Sequence, residues 1–86
     1  MIKFANSTVR LSQSEMMEVC ALSASGATWL HVLKENDEVV AIAYNKKRQE
    51  TAKVYGILPS MLLKAHNCEK GTLVVPVTSL VENFIN

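Results

Sequence analysis

The sequence predicts a small α+β sandwich, and three observations carry that prediction. Apolar residues make up 49% of the 86 positions and charged residues 20%, so the chain can bury a core and lacks the composition of a disordered segment. Two Ser-x-x-Glu signatures, Ser12 to Glu15 and Ser79 to Glu82, have the spacing of helix capping boxes. Between them lie short runs of β-branched and aromatic residues separated by polar turn formers, the pattern of strands and hairpins. At this length one domain, residues 1–86, accounts for the whole chain.

The elements follow in order. Residues 2 to 11 read as a strand with Ile2, Phe4, Val9 and Leu11 apolar, broken by turn formers at Asn6-Ser7-Thr8. The first capping box then opens a helix from about Gln13 to Ser25, with Met16, Val19, Cys20 and Leu22 as its apolar stripe and Gly26 as its stop. Thr28 to Lys34 is rich in β-formers and reads as a strand, although Trp29, Leu30 and Leu33 also fit a helical stripe. Val39 to Tyr44 is apolar on both faces and reads as a central strand. The polar tetrapeptide Glu35-Asn36-Asp37-Glu38 joins the two as a hairpin. Asn45 is a good cap for a second helix over 46–56, and Pro59 opens a further helical piece from Ser60 to His66. Thr72 to Val77 is a last strand, which Pro76 places at an edge. A short C-terminal helix completes the order β-α-β-β-α-β plus helix, which matches a ferredoxin-like split βαβ sandwich.

Charge and composition exclude several functions. The formal charge is +1, so no global field steers the molecule to nucleic acid or to an anionic membrane. The longest apolar run, Val39 to Tyr44, is far short of the roughly 20 residues of a membrane span. The N-terminus lacks an apolar stretch of signal-peptide length, which points to the cytoplasm and to Cys20 and Cys68 as reduced, partly buried thiols. Charge is unevenly spread. Lys46, Lys47, Arg48, Lys53, Lys64 and Lys70 face only Glu50 and Glu69 in the stretch 46–70. The first 45 residues are mildly acidic.

No motif carries catalysis. Cys20, His31, His66 and Cys68 lack the ligand spacing of a zinc site. Cys20 with His31 has no third group to orient it as a nucleophile and base. Glu15 and Glu18 lie in the first turns of a helix, where its dipole accounts for them. The glycines at 26, 56 and 71 stand alone, so no phosphate-cradling loop is present. The sequence therefore predicts a non-enzyme without metal or cofactor.

Two readings of a binding function remain. The segment RQETAKVYGILPSMLLKAHN, residues 48–67, resembles a helix-turn-helix, with Ala52 at the helix crossing, Gly56 in the turn and Leu62 anchoring the second helix. That resemblance implies a DNA-binding regulator of the excisionase or repressor kind. Ser60, Lys64 and Asn67 would meet bases, and Arg48 and Lys53 would meet phosphates. Thr51 in a packing position, and a reading face without Arg or Gln, depart from it.

The second reading starts from the apolar excess. Met16-Met17 and Met61-Leu62-Leu63 offer adaptable contact surface. Leu80, Val81, Phe84 and Ile85 make the chain end a docking element. In length, near-neutral charge, apolar excess and the helix-turn-helix echo, the chain is similar in kind to the small phage antirepressors. That similarity implies a regulator that binds a repressor protein and relieves repression. Trp29, Met61, Leu62 and Phe84 would be its apolar anchors, and Glu35, Asp37 and Glu38 would meet a basic DNA-binding face. A homodimer or higher oligomer is expected.

Overall fold

The computed structural model describes residues 2–5 and 9–80. They form β1 (Ile2–Phe4), α1 (Gln13–Ala24), β2 (Trp29–Glu35), β3 (Glu38–Tyr44), β4 (Glu50–Tyr55), α2 (Ile57–Ala65) and β5 (Thr72–Pro76). The architecture is the α+β sandwich that the sequence predicts. One five-stranded sheet, in the order β1-β5-β2-β3-β4, carries both helices on one face. Residues 77–80 begin a further helical turn, and residues 81–86, including Phe84 and the rest of the predicted C-terminal helix, lie outside the described residues.

The first helix forms as its capping box demands. The Ser12 side chain accepts from the Glu15 amide, and the Glu15 carboxylate accepts from the Ser12 amide at 2.7 Å. At the other end Gly26 adopts φ 94°, which only glycine adopts freely, and the Ala27 amide returns to the Leu22 carbonyl. Met16, Val19 and Leu22 point into the core, while Cys20 is exposed and Cys68 buried. The expectation that both thiols are partly buried is thus corrected for Cys20.

Asn36 and Asp37 both take left-handed backbone angles, φ 52° and 65°. That is the two-residue turn whose twist suits a hairpin, and these residue types tolerate it best. It fixes the β2–β3 register so that Leu30 faces Ala43 and Val32 faces Ala41. The Trp29 segment is therefore a strand.

The segment 46–56 departs from the predicted helix. The Asn45 side-chain oxygen does cap, but it caps a loop, accepting from the amides of Lys47 (2.9 Å) and Gln49 (3.0 Å). Arg48 takes φ 62°, which ends any helical direction. From Glu50 the chain returns antiparallel to β3, with Ala52 and Val54 inward and Thr51, Lys53 and Tyr55 more exposed. The alternation has period two, and a bulge beside Tyr44 adjusts the register. This additional strand, and β1 at an edge parallel to β5, make the sheet order differ from the ferredoxin-like arrangement.

Pro76 sits in an interior strand. Val77 donates to Thr28 on the β2 side, whereas the Val74 carbonyl accepts from Ala5 on the β1 side. The backbone nitrogen of Pro76 therefore faces the β1 side, beyond the last pairing of β1, where no donor is needed.

The core lies between sheet and helices. Leu30, Val32, Ala41, Ala43, Leu73 and Val75 supply the sheet side, and Met16, Val19, Leu22, Leu58, Leu62 and Leu63 the helix side. Small residues at 41, 43 and 52 lie where α2 crosses β3 and β4, and they let its leucines approach the sheet closely.

Candidate interaction surface

Side chains alternate along each strand, so every strand that sends one set to the helices sends the other set away from them. In most sheets with one solvated face that second set is polar. Here it is not. The outward set includes Ile2 and Phe4 on β1, Val74 on β5, Trp29, His31 and Leu33 on β2, Val40, Ile42 and Tyr44 on β3, and Lys53 and Tyr55 on β4. Neither described helix covers it. Phe4 is 72% exposed, Tyr55 54%, Ile2 51% and Trp29 41%.

The face is graded along its strands. At the β2–β3 turn it begins with the carboxylates of Glu35 and Glu38, which are cross-strand partners. Next comes the row Leu33, Val40, Tyr55, in which Val40 is fully buried between its neighbours without joining the helix-side core. The middle row is Phe4, Val74, His31, Ile42 and Lys53. The far row pairs Trp29 with Tyr44. There a groove of about 480 Å³ is lined by Phe4, Trp29, His31, Tyr44, Val74 and Arg48. The β3–β4 loop, with Lys46, Lys47 and Arg48, closes that end and is exposed throughout its basic run. Glu50, opposite Tyr44, is the acidic residue nearest to that groove in the strand register.

The structure brings some of the predicted contact residues together and separates others. Trp29, Glu35 and Glu38 share the open face, and Asp37 sits in the turn beside the two glutamates. Leu62 is fully buried in the helix-side core, and Met61 is half-buried against it. Neither is a free anchor, because α2 spends its apolar face on the sheet. Met16 and Leu63 are core as well, which leaves Met17, 67% exposed, as the open member of that set.

The helix-turn-helix does not form, since its first helix is β4. The residues assigned to DNA contact are dispersed accordingly. Arg48 is in the β3–β4 loop, Lys53 on the open face, Ser60 and Lys64 on α2, and Asn67 beyond it at φ 54°. Ser60 and Lys64 line a separate cleft of about 320 Å³ with Lys34 and Glu69, on the helix side of the hairpin.

Ile2, Phe4, Tyr44 and Tyr55 escaped the sequence reading as contact residues. One signal was present. A strand apolar on both faces, as Val39 to Tyr44 is, requires a cover for each face, and the described helices provide a cover for one.

A small polar cluster lies behind β1 and β5. The Lys3 ammonium donates to the His66 carbonyl, and the Cys68 thiol donates to the Thr72 carbonyl at 3.1 Å. His66 is 6% exposed. Burial first, and the Lys3 charge second, hold its imidazole below the ordinary histidine range.

Among the described residues no group of three or more His, Cys, Asp or Glu is arranged to hold a metal ion. No described helix is long and apolar enough to cross a membrane. Comparison with protein-family models, curated proteins and solved structures gives no significant match to this chain.

Proposed function

We propose that this protein is a small non-enzymatic regulator that works by binding a partner protein through the open face of its sheet. The observation that carries the reading is the sheet face, opposite the described helices, that bears Phe4, Trp29, Tyr44 and Tyr55. Exposed aromatics clustered on one surface are the usual anchors of a protein interface, since each brings large area at little entropic cost. Single exposed apolar residues are ordinary on any protein, but a contiguous patch is not.

The mechanism that fits is competition. In the antirepressor reading the partner is a transcriptional repressor in the cytoplasm, and the aromatic face covers its DNA-binding or oligomerising surface. Glu35, Asp37 and Glu38 meet the partner's basic residues and speed encounter. Leu62 plays no direct part, being core.

The test is a capture experiment from nuclease-treated lysate of the source cells, with the wild type and with Phe4→Ser and Trp29→Ser. The proposal expects a stoichiometric protein retained by the wild type and lost from both variants. A partner retained equally by all three would remove the sheet face from the mechanism. Nucleic acid retained without protein in an untreated lysate would replace the partner class.

A further inference from the structure

We infer that the open sheet face also binds a second copy of this chain, face to face and with the strands of the two copies antiparallel. The inference rests on reading that face as a docking surface, and it names one occupant.

Charge is distributed unevenly over this face. The β2–β3 turn and the β3–β4 loop lie at opposite ends of β3. The first end carries Glu35, Asp37 and Glu38 and the second Lys46, Lys47 and Arg48. Glu35 and Glu38 project on the open side, and Arg48 lines the groove on that same side. Lys34, the nearest cation to the turn in sequence, lines the cleft on the helix side instead. The face is thus acidic at one end and net basic at the other, where Glu50 offsets one of the three cations, and the rows between are apolar except for Lys53 on the edge strand β4.

Such a gradient is self-complementary under one twofold axis and not under another. An axis perpendicular to the strands sets the acidic turn of each copy over the basic loop of the other. It also lays the row of Leu33 and Tyr55 over the row of Trp29 and Tyr44. An axis along the strands would set carboxylate against carboxylate. Charge at the two ends therefore selects the antiparallel arrangement, in which Lys53 of each copy, at the outer edge of the middle row, faces its counterpart near the axis. Two sheets packed in this way lie about 10 Å apart with strands aligned to within about 30°.

The area suffices for a reversible dimer. The five strands hold 28 residues between them. At about 3.3 Å per residue and about 4.8 Å between strands, each face projects about 450 Å². A pair of copies hides about 900 Å² in projection, and side-chain relief and the two end loops add to that. That places the pair among small, weakly associating interfaces, near or below about 1,200 Å². A dimer in dynamic exchange is expected, which leaves the face available to a partner protein.

The experiment is a charge-reversal cycle read by sedimentation velocity over a concentration series. Glu35→Lys with Glu38→Lys reverses one end, and Lys46→Glu with Lys47→Glu reverses the other. All four positions are exposed, and circular dichroism checks that each variant is folded. The wild type should pass from 9.5 kDa to twice that mass as concentration rises. Each reversal alone should weaken the dimer by about tenfold or more, and their combination should restore it to within about threefold. A wild type that stays monomeric up to millimolar concentration overturns the inference. So does a combined variant no better than the single reversals. Partner capture by a monomeric protein would sink this inference and leave the proposed regulator standing. A dimer without a captured partner would do the reverse.

Discussion

His66 lies at the C-terminal cap of α2 and is nearly closed off from solvent. Its imidazole is held below the ordinary value of 6.5 by burial and by Lys3, so the folded state favours the neutral form. The unfolded chain therefore takes up the proton first as pH falls. Stability should be steady above pH 6.5, decline as pH drops below it, and level off once His66 is protonated in the folded state too. Urea midpoints measured between pH 8 and pH 5 should show that decline, and His66→Gln should flatten it. Leu62 and Phe4 make a second residue-level contrast. Leu62→Ala opens a cavity in the helix-side core and should cost about 2–5 kcal/mol of unfolding free energy. Phe4→Ala on the open face should stay within about 0.5 kcal/mol. Equal losses at the two sites would contradict the assignment of one to the core and the other to a free surface.

At the scale of elements, β4 is where local sequence and tertiary context part. Asn45, Lys46, Lys47 and Arg48 make a persuasive helix start, and the following Glu50 to Tyr55 is short enough to satisfy either period. What decides is the loop. Asn45 closes it with its own side chain, and the left-handed Arg48 reverses the chain. Asn45→Ala should lose about 1–2 kcal/mol, because two loop amides lose their acceptor; a denaturation curve measures this directly. Gly56 plays the corresponding part on the far side of β4. Its φ of 104° lets the strand turn into α2, and Gly56→Ala should cost about 1–3 kcal/mol through backbone strain alone, since no atom crowds an added methyl group. By contrast α1 and the β2–β3 hairpin were legible from residues 12–44. A capping box and a two-residue turn are local devices whose partners lie within a few positions. Pairings such as β1 with β5 join residues about 70 apart, and no short-range signal encodes them. The position of β4 also explains Lys53 and the bulge beside Tyr44. Both blunt an edge strand that would otherwise recruit further strands.

Over the molecule as a whole, the apolar strands have two faces, and the described helices α1 and α2 lie on one of them. Among the described residues α1 and α2 cover one face, and most of their apolar residues are spent on it, Met17 and Ile57 excepted. The other face keeps its aromatics in the open, graded from carboxylates to lysines along the hairpin. The sequence showed both ends of that gradient and Trp29. It hid Phe4, Tyr44 and Tyr55, because their membership depends on sheet register and not on any local motif. The surface is thus a product of topology, and the proposed regulator and the antiparallel dimer both depend on it.

Trp29 is the single tryptophan of the chain and stands on this face, partly exposed. Its quenching by acrylamide therefore reports directly on whether the face is covered. Quenching should be ready in dilute protein and should fall clearly, with a blue shift of emission, when a complex forms. Complex formation that leaves the quenching of Trp29 unchanged would show that this molecule does not bind through the open face of its sheet.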